Sequence, residues 1–203
     1  DVDQRHARIV LSDDNGNNPT RTNNAGQIQP EHSLNKEQWK TFTDSVEHIA
    51  QTVLEETGVP SVFHHHCAGY VETPDEIDTF LELTDPETIG LCFDTGHYAF
   101  GGGTPLEGLK KYAERITHVH FKGWNPKIDS LSKKKNWNYF EAVEHGIFCE
   151  LGQGAVDFRA ILKELKAQNY SDWIVVEQDV LPGMGDPKES ARRNREFLRS
   201  IGV

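Results

Sequence analysis

Nowhere in the 203 residues does an apolar run approach the ~18 residues of a membrane span, and residues 1–20 lack the apolar stretch of a secretory signal. A membrane partner is therefore not expected. Cysteine is scarce. Cys67, Cys92 and Cys149 are odd in number, far apart and without a CxxC pair, which argues against a disulfide framework and for free thiols in a reducing, cytoplasmic compartment. Basic charge is also short: 21 Lys and Arg face 32 Asp and Glu, for a net charge of −11. Such a surface repels phosphate backbones, so nucleic acid is not expected as a partner. The one basic run, Lys133-Lys134-Lys135, stands in a polar segment and reads as a solvated loop.

The chain does have five short apolar runs, over residues 7–13, 61–66, 89–96, 117–123 and 172–179. They are apolar continuously rather than alternately, which predicts strands covered on both faces, as in a parallel sheet. Helical stretches lie between them. Over 35–56, Phe42, Val46, Ile49 and Val53 predict one apolar stripe, with Asn35 as the cap and Gln38 three residues on. Three helix starts repeat one design: Thr73-Pro74-Asp75-Glu76, Thr104-Pro105-Leu106-Glu107 and Asp186-Pro187-Lys188-Glu189 each supply a cap, a proline at the first helical position and a glutamate at the third. Repeated strand–loop–helix units chain together right-handedly, so the fold class is α/β, either a (β/α) barrel or a doubly wound sheet. The length suits one domain over residues 1–203. Residues 124–154 predict a long loop leading to a short helix, after which Asp157 caps a helix over 158–168. Residues 14–32 are polar, turn-rich and aperiodic, as expected of a functional or mobile loop.

The last four runs all end in side chains able to hold a metal: His64-His65-His66, then Asp94 with His97, then His118 and His120, then Glu177 with Asp179. In parallel α/β folds that edge is where active sites form. His118 alone reads as a packed core residue, and His6, His32, His48 and His145 as surface residues. Asp94 and Glu177 follow apolar strands, where a buried unpaired carboxylate costs several kcal/mol unless a cation or hydrogen bonds compensate. A cation shared by Asp94, His120 and Glu177 is therefore expected. Imidazole with carboxylate and no thiolate fits a reactive, partly open site holding a divalent ion, Mn, Co, Zn or Mg.

"FDTGH", "HVHFKG" and "VVEQD", in this order, resemble the xylose-isomerase-like (β/α)8 TIM barrel superfamily of sugar isomerases, epimerases, dehydratases and metal-dependent AP endonucleases. "FHHHCAGYVETPDEIDTFLELTDPETIGLCFDTGHYAF" and "LGQGAVDFRAILKELKAQNYSDWIVVEQD" are most similar to the inosose (2-keto-myo-inositol) dehydratases. The resemblance implies one divalent metal on a Glu, an Asp, a His and a second Glu. Asp94, His120 and Glu177 match the last three. At the first, the chain departs from the family: either His64 takes the place or Glu72 reaches in from the following loop. His64 and His66 share a strand face and should both point into the barrel mouth, with His65 opposite. Gly123 stands where relatives often carry Asp. The chain also begins near what resembles the fourth strand, so only the C-terminal five of eight β/α units are expected, as in a truncated barrel. Such an arc would expose strand edges at 7–13 and 172–179 unless a partner, a homo-oligomer included, covers them.

The resemblance implies a metal-dependent hydro-lyase that dehydrates a small cyclic polyhydroxy ketone through an enediolate. Glu177, Glu72 or an imidazole would take the proton, His66 or His97 would protonate the departing hydroxide, and Lys122 would steady the oxyanion. Three alternatives stand beside it: a sugar isomerase or epimerase on the same scaffold, an AP-endonuclease-type phosphodiesterase, which the charge of −11 opposes, and a non-catalytic sugar-binding remnant.

Overall fold

The computed structural model describes residues 6–203. Five strands, β1 (Ile9–Leu11), β2 (Ser61–His64), β3 (Ile89–Asp94), β4 (Ile116–Phe121) and β5 (Ile174–Val176), form one sheet in chain order. Every neighbouring pair is parallel. Each crossover carries helices: α1 (Pro19–Asn23) and α2 (Lys36–Thr57), then α3 (Pro74–Leu83), then α4 (Thr95–Phe100) and α5 (Pro105–Lys111), then α6 (Pro126–Lys135), α7 (Tyr139–Glu144) and α8 (Phe158–Ala167). After β5, α9 (Pro187–Ser200) completes the last unit. A doubly wound sheet needs a reversal in strand order. Here there is none, and the structure is an arc of a (β/α) TIM barrel, five units long. At the N-terminal ends of the strands, Arg8 donates to Asp172 at 3.1 Å and His6 Nδ1 meets the same carboxylate, linking the two edges of the arc.

The strand faces divide the labour. Phe63, Leu91, Phe93, Val119 and Phe121 are buried together with Phe80, Leu109, Ile161 and Leu165 of the helices. Full burial of one such side chain stabilises by about 1.5–3 kcal/mol. Side-chain alternation then turns His64, Cys92, Asp94, His118 and His120 to the opposite, barrel-interior face. The strand runs are apolar mainly because of the outer face, with Val62 buried on the interior side below His64. A second cluster, Ala25, Cys67, Ala68, Phe100, Tyr139 and Phe148 among its members, packs the loops beyond the strand ends.

Several local expectations are corrected. The strands are shorter than the apolar runs: 89–96 stops at Asp94, because the Asp94 side chain caps α4 by accepting from Gly96 N and His97 N, each at 2.8 Å. The buried stripe of α2 is Trp39, Thr43, Val46 and Ala50, while Ile49 is 47% exposed. Small Thr43 and Ala50 suit the line of closest packing, and the sequence periodicity had weighted bulk instead. Lys133-Lys134-Lys135 forms the last turn of α6 and not a loop. Asn125 caps that helix, Pro126 opens it, and cations favour the negative end of the helix dipole. Residues 14–32 contain α1 and a 3-10 turn (Pro30–His32), held by the buried Arg21. Of the three repeated helix starts, Thr73 makes a full capping box with Glu76, Asp186 accepts from Lys188 N, and Thr104 makes no side-chain cap.

Candidate metal centre

Four strands deliver one donor each to a single point. Ligand atoms of His64, Asp94, His120 and Glu177 all lie within 4.8 Å of one another. His64 Nε2 stands 3.5 Å and His120 Nδ1 3.8 Å from Asp94 Oδ2, and His120 Nδ1 is 3.2 Å from Glu177 Oε1. The register explains the meeting: Asp94 pairs with His120 across β3 and β4, and Glu177 N donates to the Phe121 carbonyl just beyond β5.

His64 Nε2, Asp94 Oδ2 and His120 Nδ1 are buried and have no hydrogen-bond partner. A buried polar atom without a partner costs roughly 1–3 kcal/mol, and three facing one point fit a divalent cation. Oxygen and nitrogen donors in this mixture suit Mn, Co or Zn. The other oxygen of Asp94 is engaged by α4, and Asp94 N donates to His65 Nε2 at 3.1 Å. His65 therefore lies on the far side as expected, packed on Phe93 and Tyr98, and braces Asp94 from behind.

The motif "DTG" has a mechanical role. Thr95 Oγ1 donates to the Lys122 carbonyl at 2.8 Å and accepts from Lys122 N at 2.9 Å, clamping β3 to the end of β4. A Cβ on Gly96 would meet Lys122 Cβ at 2.8 Å, so glycine leaves room for that side chain. Lys122 is 4% exposed. Its Nζ lies 3.3 Å from Glu177 Oε2, 3.0 Å from Asp179 Oδ2 and 4.8 Å from the Phe148 ring centroid. Burial opposes its charge, but Asp94, Asp179 and Glu177 outweigh that and hold it above the usual lysine range. Burial likewise opposes the charge on Asp94, yet His64, His97 and Lys122 keep its carboxyl well below the usual range.

His66 and His97 stand beside the donors, with ring centroids 4.4 Å apart. Cys67 N donates to His97 Nδ1 at 3.2 Å, which places the ring proton on Nε2. Burial, reinforced by the charge of His64, lowers His66 to about 3; burial lowers His120 to about 4. His118 sits one level down in the interior row, 5.2 Å from His120 by ring centroids, and burial lowers it too.

Glu72 does not join the site. Its oxygens accept from Gly26 N and Ala68 N, each at 2.7 Å, and its ligand atoms are outside the convergent set. Those two N–H groups, from neighbouring loops, hold it away from the cluster, and of His64 and Glu72 only His64 lies in the convergent set. At Gly123 a Cβ would collide with the Cys149 carbonyl oxygen, so no aspartate has room there. Sequence reasoning gave no role to Phe148 or Thr95, and to Asp179 only that of a metal-capable strand end. The strand-end position flagged Asp179, "DTG" could have flagged Thr95, and Phe148 lies in the aperiodic stretch where no signal pointed to it.

Comparison with known proteins agrees with this fold. Inosose dehydratase of Clostridium beijerinckii is 32% identical over 193 residues, covering 95% of this chain and 64% of that protein, so the chain spans under two thirds of its length. The crystal structure of 3-keto-D-glucoside 4-epimerase, YcjR, from E. coli shares the fold with a TM-score of 0.65 at 18% identity, over 95% of this chain and 63% of that one. The IolI protein, crystallised with a zinc atom, does so at 0.59 and 20%, over 86% and 60%. With a family profile matched over residues 16–201, the chain belongs to the xylose isomerase-like TIM barrel family.

Proposed function

We propose that the protein is a metal-dependent hydro-lyase that removes water from a small cyclic polyhydroxy ketone of the inosose type. The convergence of His64 Nε2, Asp94 Oδ2 and His120 Nδ1, all buried and unpartnered, carries this reading. Likeness to inosose dehydratase supports the substrate class. His64, Asp94, His120 and Glu177 would hold the ion, manganese on this donor set; bound there, it supplies Lewis-acid polarisation of the substrate carbonyl and neighbouring hydroxyl.

The chain's own groups divide the proton work. Glu177, the one donor whose side chain is 34% exposed, faces the open side and takes the proton beside the carbonyl. Lys122, charged and fixed between Glu177 and Asp179, lies against the developing negative oxygen. His97 offers its Nε2–H to a substrate hydroxyl. His66 is held neutral, so it accepts a proton before it can donate one, as suits a carrier to the departing hydroxide. Such acid–base help contributes typically ~100–10,000-fold. Phe148 and Tyr139 of the second core close one side against water.

The same reading makes the protein cytoplasmic, in keeping with its free thiols, and without nucleic-acid partners, in keeping with its charge of −11. Among the described residues no helix is long and apolar enough to cross a membrane. An isomerase or epimerase would use the same groups and return the proton to the neighbouring carbon; the fold shared with YcjR favours keeping it as the second reading. Incubation with Mn2+ and an inosose tests both. Growth of an ultraviolet-absorbing dione is expected, and a product isomeric with the substrate would overturn dehydration.

A further inference from the structure

A second donor set lies beneath the first and borrows two of its members. Cys92 stands two residues before Asp94 on β3, so it faces the same interior side one level deeper. It pairs in register with His64 of β2 and is fully buried. Ligand atoms of His64, Cys92 and His120 lie within 4.8 Å of one another, as those of the upper set do. Both imidazoles bring a buried ring nitrogen with no hydrogen-bond partner, His64 Nε2 and His120 Nδ1.

We propose that the barrel mouth has two overlapping and mutually exclusive cation positions. The upper one, on His64, Asp94, His120 and Glu177, takes oxygen-preferring ions. The lower one, on His64, Cys92 and His120, takes strongly thiophilic ions such as cadmium. Thiolate selects soft metals where carboxylate does not. Metal–sulfur bonds of about 2.3 Å and metal–nitrogen bonds of about 2.0–2.1 Å need donor separations near ~3.5 Å, a modest contraction of the cluster. Binding there replaces the S–H bond of Cys92 by a sulfur–metal bond, and the proton leaves to solvent. An ion in the lower position withdraws both imidazoles from the upper one, so a thiophilic metal blocks the site from below without occupying its mouth. This rests on the upper cluster being a cation site, as proposed above.

The test is a titration of metal-free protein with Cd2+, alone and after loading with Mn2+, followed by thiolate-to-metal charge-transfer absorption and by bound Mn2+. One Cd2+ should bind, raise the thiolate band and release the Mn2+. The band should vanish in Cys92→Ser and in Cys92→Ala, and persist in Cys67→Ser. Cd2+ affinity should fall ~10–100-fold in the Cys92 variants while Mn2+ affinity holds. Cd2+ that displaces Mn2+ without a thiolate band would overturn the lower position, and Cd2+ bound alongside retained Mn2+ would overturn exclusivity. Failure to bind any divalent ion would instead overturn the metal centre itself.

Discussion

Two clusters of buried charge are built on opposite plans. Around Arg21, which is fully buried, the polar atoms answer one another. Its Nη1 and Nη2 donate to the two oxygens of Glu76 at 2.8 Å, and its Nε donates to the Gly69 carbonyl at 2.6 Å. Ser33 Oγ also donates to Glu76, and Gly26 N and Ala68 N serve Glu72. At the strand ends, by contrast, His64, Asp94 and His120 aim polar atoms at one another and leave them unserved. The first cluster ties residues 14–33 to the loop after β2, and its satisfaction marks it as structure. The second is left open, and that openness is what the proposed cation site rests on. Residue type alone would not separate them, since Glu72 and Asp94 are both acidic and both wholly buried.

The sharpest way to break this contrast is to unpair the first cluster. Arg21→Ala strands Glu72 and Glu76 without a cation, and urea unfolding should show a loss of about 3–5 kcal/mol. A loss below about 1 kcal/mol would mean the cluster holds nothing together.

Glu72 of the first cluster and the imidazoles of the second titrate in opposite senses. Burial, with neighbouring charges, lowers His65 and His66 to about 3 and His120 to about 4, so these groups stabilise the fold above their ordinary value of 6.5 and lose that contribution as pH falls. Burial pushes Glu72 up to about 7 from 4.5, so its contribution is full below 4.5 and is lost as pH rises through 7. Burial lowers His97 and His118 as well, so the imidazoles outweigh the one raised carboxyl. Metal-free protein should therefore gain at least roughly 2–3 kcal/mol of stability per pH unit between pH 5 and 6, at about 1.4 kcal/mol per proton. Chemical denaturation across that range would read the slope, and a flat profile would contradict the imidazole burial.

Within the open cluster the expected changes fall on binding. Asp94→Asn keeps the oxygen that caps α4 and removes the charge; Mn2+ affinity measured by calorimetry should drop about 100-fold, with the metal-free fold within about 1 kcal/mol of the parent. Glu177→Gln, at the half-open edge, should cost about tenfold. Should Asp94→Asn unfold the protein instead, the two clusters would not differ in kind.

The sequence made the fold readable because the barrel repeats one unit: apolar run, loop, cap-Pro-x-Glu helix start. Thr73 to Glu76 carried that signal into a full capping box. Asp94, His120 and Glu177 were legible because an acid or imidazole directly after an apolar strand needs an explanation. What escaped reading is the placement of groups by distant backbone. Glu72 looked equivalent to His64 until Gly26 N and Ala68 N, from two separate loops, claimed it. α6 was hidden by three lysines that look solvated in sequence and in fact close a helix. The register of α2 depended on which small side chains meet the sheet, and periodicity of large residues cannot report that.

Crystals of the protein soaked with Mn2+ and measured for anomalous scattering test the central claim most directly. One peak about 2.0–2.3 Å from His64 Nε2, Asp94 Oδ2, His120 Nδ1 and a Glu177 oxygen is expected. A soaked crystal with no peak among those four atoms, or with its only peak elsewhere, would contradict it.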